Sequence, residues 1–342
     1  MKRLLVCLLL VGVVGCGSSP SPESPFFRNE SSKSPPARSK IPAPPPASSE
    51  ISAPPPAPTN AEKAESVLAK GRGFEFRRDY ATAIACYTDA IELVPGDAEG
   101  YRGRGGCYLK LGELDKAFAD STKAIQLDPT QFMAYFNRAI IFGMQDKHDM
   151  EIADLDRVIE LEPEPFPGWL NTFALAYTNR GLAYFRLGEY DKAIADCTKA
   201  IELEPMYKAA YHNRGLAYQS LGEYDKALAD YNQAIELAPD ALTFFTRGQL
   251  YNAINEHDKA IDDYTKAIQL KPDYVNAYMN RGATQGERDN FGLSIADFTK
   301  VIQLDPTSGL AYYNRGYSYS KVGEDEKAAA DLGRAKELGY DP

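Results

Sequence analysis

The chain has 342 residues, enough for several compact domains or one long array, and a formal net charge of −10. Acidic residues outnumber basic ones and no Lys/Arg cluster stands out. This excludes nucleic acid as a partner, whose phosphates need cationic neutralisation.

The chain opens with Met1-Lys2-Arg3, a short positive stretch, followed by an apolar run from Leu4 to Gly15. A membrane-spanning helix needs about 20 apolar residues, so this run is too short to span and fits the core of a secretory signal over residues 1–15. It ends in Val13-Val14-Gly15-Cys16, which resembles the bacterial lipobox. The resemblance implies that Cys16 is acylated and becomes the first mature residue, anchoring the chain in a membrane. It implies the periplasmic face of the outer membrane where the organism has one, since Gly17 and not Asp follows the cysteine. The alternative is an ordinary signal cleaved elsewhere, with Cys16 incidental.

Residues 16–60 are rich in Pro, Ser and Ala, as in "SPPARSKIPAPPPASSE". Such composition cannot bury a core and favours polyproline II or coil. It reads as a disordered linker, and at about 3.1 Å per residue it would hold the folded part on the order of 100 Å from the membrane.

From residue 61 the sequence repeats. "NRGLAY" occurs at Asn179–Tyr184 and again at Asn213–Tyr218, 34 residues later. Pro95, Pro129, Pro163, Pro205, Pro239, Pro272 and Pro306 close successive stretches at intervals of 34, 34, 42, 34, 33 and 34. Eight units follow: 64–97, 98–131, 132–165, 174–207, 208–240, 241–274, 275–308 and 309–342. With positions numbered 1 to 34 in each unit, small residues recur at 8, 20 and 27, aromatics at 11 and 24, and Pro at 32. Each unit predicts two antiparallel helices of about 14 residues around a glycine-containing turn, such as Leu187-Gly188-Glu189-Tyr190. A pair of this kind cannot bury both faces alone, so the units stack into an all-α solenoid.

This frame closely resembles the tetratricopeptide repeat. The resemblance implies a right-handed superhelix lined on its inner side by the first helix of each pair, and a binding protein without catalysis or cofactor. Departures fall in unit three (Ala139, Glu151), in unit seven (Gln285, Ser294) and in unit eight, which lacks an obvious capping helix.

On a helical wheel, positions 4, 8 and 11 face the second helix of the same unit, and position 6 points nearly opposite with 2, 9 and 13. Asn137, Asn179, Asn213, Asn280 and Asn314 occupy position 6. Their amides suit the backbone of an extended peptide, although a merely tolerated polar residue would look the same. Variable neighbours expected on that groove include Phe136, Phe245 and Tyr313 at position 5 and Phe185 at position 12. The partner would be a protein or peptide.

Arg104, Arg138, Arg180, Arg214, Arg247, Arg281 and Arg315 hold position 7, while Asp120, Asp154, Asp196, Asp230, Asp263, Asp297 and Asp331 hold position 23. Unit one has Lys70 and Cys86 instead, and this joint loss predicts structural pairing within a unit.

The one break in the rhythm is the insertion 166–173, "FPGWLNTF". About two helical turns long, it would extend the first helix of unit four from near Gly168. Phe166, Trp169, Leu170 and Phe173 would then form an edge contact for a partner or a second copy, or else fold down onto unit three. His148, His212 and His257 lie in separate units without ligand spacing, so no metal site is read. Cys86 and Cys107 lie on adjacent helices, where an oxidising compartment would let them bridge if the backbone brings them close. The functional expectation is a membrane-anchored scaffold at the cell envelope that binds a partner in the groove. Its rival is a structural component that assembles with copies of itself, a homo-oligomer.

Overall fold

The computed structural model describes residues 58–161 and 170–341. Among these residues there are sixteen helices and no strand. The first three hairpins are α1 (Asn60–Phe76) with α2 (Tyr80–Leu93), α3 (Ala98–Lys110) with α4 (Leu114–Leu127), and α5 (Phe132–Met144) with α6 (His148–Glu160). Then come α7 (Leu170–Arg186) with α8 (Tyr190–Leu203), α9 (Lys208–Ser220) with α10 (Tyr224–Leu237), and α11 (Ala241–Ala253) with α12 (His257–Leu270). The last two are α13 (Val275–Glu287) with α14 (Phe291–Leu304), and α15 (Gly309–Lys321) with α16 (Asp325–Glu337). Each helix packs on its hairpin partner, and each second helix packs on the first helix of the next unit. That connectivity is an α-solenoid.

The hairpin turn has one recurring backbone feature. Position 15 lies in the left-handed region in every unit: Gly112, Gly188, Gly222 and Gly323 at φ 77–78°, and Arg78, Asp146, Asn255 and Asp289 at φ 55–63°. Glycine suits it best, yet half the units tolerate a side chain there. A second glycine requirement sits at position 8. A Cβ on Gly215 would come within 2.7 Å of the Tyr231 ring, and one on Gly181 within 2.9 Å of Cys197 Sγ. These contacts set how closely the two helices of a hairpin approach. Tyr87, Tyr231, Tyr264 and Phe298, all at position 24, are buried in that gap.

At the N-terminus, Thr59 caps α1 in a reciprocal box with Glu62, so helix already includes residue 60, the last of the expected linker. Residues 1–57, with Cys16 and nearly all of the linker, lie outside the described residues. No described helix is long and apolar enough to cross a membrane. Cys86, Cys107 and Cys197 are free thiols, so Cys86 and Cys107 are not bridged. Cys107 and Cys197 are buried as small apolar side chains, and burial pushes both thiols up to about 12.

The insertion departs from expectation. Helix α7 starts at Leu170, and Phe173 is only 2% exposed. Its ring stacks on Phe132 with centroids 5.8 Å apart, in one cluster with Tyr135, Phe136 and Leu155. Phe173 is therefore core and not an edge contact, because the extra helical turn lies against α5. Phe166, Trp169 and the Leu170 side chain lie outside the described residues.

The candidate partner-binding face

A network that fixes the register of the stack sets the geometry of the open face. In each of units two to eight the position-7 arginine makes a two-pronged bond to the aspartate of its own unit. Arg104 donates to Asp120 at 2.7 and 2.9 Å, and Arg214 to Asp230 at 2.8 Å twice. The Asp230 hydrogen bond, against the cost of burial, raises the Arg214 guanidinium above its ordinary value, so it stays charged. Except in unit three, the third nitrogen crosses to the preceding unit, where position 25 supplies the acceptor. Arg104 reaches Thr88 (3.1 Å), Arg214 reaches Thr198 (3.0 Å), Arg281 reaches Thr265 (2.8 Å) and Arg315 reaches Thr299 (3.1 Å). Arg180 reaches Asp156 instead, at 2.6 Å. The guanidinium also lies between the aromatic rings at positions 4 and 11, as Arg214 does over Tyr211 (5.8 Å) and Tyr218 (5.9 Å). One arginine thus ties its own two helices together and ties its unit to the one before.

The inter-unit half of this network was not read from the sequence. Its signal was present as the recurrent Thr at position 25 (Thr88, Thr122, Thr198, Thr265, Thr299).

Of the first-helix positions, 2, 9 and 13 keep open, half- or fully exposed side chains along most of the stack. Phe76 (90%), Met144 (47%) and Tyr317 (49%) are the large apolar groups most exposed there. Ile140, Leu182 and Leu216 form an aliphatic row at position 9 through the middle units, the first two half-exposed. Polar groups flank this row, with Arg72 and Glu99 on one side and Asn276 and Glu287 on the other, while Phe76 and Tyr317 stand at the two ends.

Position 5 is not part of this face. Phe136 is 5% and Phe245 6% exposed, and both belong to the core. Phe245 lies against Tyr264 and Tyr274 with centroids 5.9 and 5.0 Å away. The physical reason is angular. At 100° per residue, position 5 is only 60° from position 8, the centre of the hairpin contact. Position 12 shares that flank, and Phe185 is half-buried against Tyr190 at 5.6 Å. Tyr313 is half-buried on Tyr340 at 5.2 Å.

Position 6 lies between the open face and the seam with the preceding unit. Asn179, Asn213, Asn280 and Asn314 are half-buried, and Asn137 is 8% exposed. Asn314 leans back onto Met279 Sδ at 3.9 Å. The asparagines therefore offer an edge to the open face and no free-standing ladder.

The three histidines act singly. His148 pairs with Glu151 at 3.0 Å, His212 with Thr243 at 3.2 Å and His257 with Asn252 at 2.8 Å. Glu151 replaces the usual small residue at position 20. Its carboxylate fits because position 12 of that unit is Gly143, where a Cβ would come within 2.7 Å.

The arrangement defines a class: a solenoid of helix hairpins locked unit to unit, presenting one long side-chain face. Sequence models of the tetratricopeptide repeat match residues 68–132, 174–207, 209–240 and 298–330, and a TPR repeat model matches 248–289. The chain belongs to the tetratricopeptide repeat family.

A tetratricopeptide repeat protein from Parabacteroides merdae shares 20% identity and a TM-score of 0.55, over 75% of this chain and 98% of that one. The Cut9–Hcn1 structure shares 17% identity and a TM-score of 0.58, over 75% of this chain and 52% of the other. Both have the same fold. Among characterised proteins, Hsp70-Hsp90 organizing protein 3 of Arabidopsis thaliana is 38% identical over 64 residues, 19% of this chain and 11% of that protein. The chain thus matches about a tenth of that relative's length.

Proposed function

We propose that this protein is a non-catalytic interaction scaffold, held at the cell envelope by lipid on Cys16, that takes a partner protein or extended peptide on its open first-helix face. The observation that carries the reading is the half-exposed aliphatic pair Ile140 and Leu182 on a face where arginines such as Arg180 fix the register from two sides. Pre-ordered helices lose little entropy on binding, and half-exposed aliphatics supply apolar area to cover. Membership of the repeat family supports protein binding, and the Arabidopsis relative is by its name an Hsp70-Hsp90 organizing protein.

Site-specific photocrosslinking tests the face. A benzoylphenylalanine at Leu182 captures a defined partner band in cells, whereas one at Ala195, exposed on a second helix, does not. Equal capture at both sites, or capture at Ala195 alone, removes the reading. The anchor is tested separately: Cys16→Ser shifts the protein from the membrane to the soluble fraction, and retention after signal cleavage refutes lipidation.

A further inference from the structure

Position 9 of unit two is Gly106, a gap in the row between Arg72 and Ile140. A Cβ built there would meet only two atoms, Asn137 Nδ2 at 3.4 Å and Glu75 Oε1 at 3.9 Å. Units one and three thus bring one polar group each to the bare backbone of unit two. Asn137 is more than nine-tenths buried, no protein group bonds its amide among the described residues, and since the fully buried polar atoms without a partner are Ser121 Oγ and Thr122 Oγ1, the amide opens to solvent at the recess. Glu75 accepts the Tyr87 hydroxyl on Oε2 at 2.7 Å and has no basic partner within ion-pair distance among the described residues. The neighbouring arginines are already engaged. Arg72 pairs with Glu65 (2.8 Å) and Glu99 (2.7 Å), and Arg102 with Glu99 (3.1 Å). Lys110, a turn further along α3, is exposed and makes no bond to Glu75.

An amide held in place by a largely buried side chain, with no protein partner and open to a recess, is pre-set to bond a ligand there. Half-buried carboxylates likewise favour a cation. Residues 1–57 carry six basic and three acidic residues, so of the chain's net −10 the remainder holds −13. An acidic chain draws cationic partners toward it at long range.

We propose that this recess takes a lysine or arginine side chain of an extended partner peptide, with the cation on Glu75 and the adjoining peptide group on the Asn137 amide. The rest of the peptide continues over Ile140 and Leu182, so its sequence is basic at one point and aliphatic beyond it. This rests on the open-face reading above.

The test uses the full-length chain in detergent micelles and positional-scanning pools of acetylated, amidated decapeptides, read by fluorescence polarisation. The wild type selects Lys or Arg over Met at one position by about tenfold, as a charge-assisted contact provides, and Leu or Ile at later positions. Glu75→Gln keeps the acceptor for Tyr87. It abolishes the basic preference and leaves the aliphatic one, with an unchanged circular dichroism spectrum. Gly106→Leu, which fills the recess, weakens binding of Lys-containing pools. A basic preference that persists in Glu75→Gln overturns the proposal. So does a wild type that selects aliphatic residues alone while Leu182→Glu still abolishes binding, and that result leaves the open-face reading standing. Binding indifferent to Leu182→Glu overturns both. A synthetic peptide of residues 25–41 of this chain, which contains Arg28, Lys33, Arg38 and Lys40, is the control. Glu75-dependent binding of it tighter than that of any pool makes the occupant the chain's own leader and refutes a separate partner.

Discussion

Arg180 grips Asp196 through two parallel hydrogen bonds, Nε to Oδ2 and Nη2 to Oδ1, both 2.7 Å, and turns its remaining nitrogen to Asp156 of the preceding unit at 2.6 Å. Arg180 and Asp196 are largely buried, with side-chain exposures of 17% and 9%. Removing one partner strands the other charge, which is the costly way to break a buried pair. Arg180→Ala therefore destabilises by about 3 kcal/mol, and Asp196→Ala by a similar amount. The double variant loses clearly less than the two single losses combined. A double-mutant cycle in urea measures the coupling, and additivity within error would disprove it.

The junction between units two and three lacks the crossing bond. Thr122 Oγ1, at position 25, is buried with no partner, as is Ser121 Oγ beside it, and Arg138 bonds only Asp154. Thr122→Val should consequently be neutral or stabilising. Thr198→Val, which deprives Arg214 of an acceptor, costs about 1 kcal/mol. Paired urea melts of the two variants check this; equal losses would mean that the hydroxyl at position 25 does not matter to the stack.

His212 supplies a pH dependence. It is 6% exposed, and burial lowers its ionisation to about 4, with Asp240 acting in the opposite direction and Lys208 in the same one. Thr243 Oγ1 and the Tyr231 ring complete its surroundings. A folded value below the ordinary 6.5 means that the unfolded chain binds the proton more readily. The contribution is complete above pH 6.5 and is lost as pH falls toward 4, on the order of 3 kcal/mol in all. His212→Leu should flatten the stability profile in that window relative to wild type. Parallel slopes for the two proteins between pH 7 and pH 4.5 would show that His212 titrates normally.

The fold was legible because its signals recur. Pro at position 32, the small residues at 8, 20 and 27 and the shared pattern of Arg and Asp appear in register many times over, so chance in one unit is averaged out. The binding face was less legible. Phe136 and Phe245 look like groove anchors from composition, and their burial follows from a 60° difference in helix angle that a coarse wheel does not resolve. Phe173 was ambiguous for another reason. An insertion outside the repeat has no second copy to compare, and whether its rings meet Phe132 depends on tertiary packing alone. The unpartnered amide of Asn137 could not be found from residue type, since Asn179 and Asn213 carry the same residue in half-buried settings.

The outer face of α16 bears on whether copies of the chain join end to end. In units one to seven the second helix presents two branched or aromatic side chains to the following unit. Position 28 is isoleucine throughout, from Ile91 to Ile302, and position 21 is Ile84, Phe118, Ile152, Ile194, Leu228, Ile261 or Ile295. Their role is visible at Gly100, where a Cβ would come within 2.8 Å of Ile91 Cγ1. In α16 the same positions are Ala329 and Lys336, both exposed, and position 25 is Gly333, which offers no hydroxyl to an incoming arginine. This face therefore has neither the apolar pair that every other unit presents to its successor nor the polar acceptor that most of them supply. An isoleucine contributes about 2 kcal/mol when covered, so adding two shifts a water-facing end toward association by about 4 kcal/mol, set against the entropy that association costs. The variant Ala329→Ile/Gly333→Thr/Lys336→Ile should sediment with a concentration-dependent, larger coefficient, while the wild type shows no association through this end. Wild-type assemblies that dissociate on Ala329→Glu, an exposed position of this outer face, would restore the self-assembling reading.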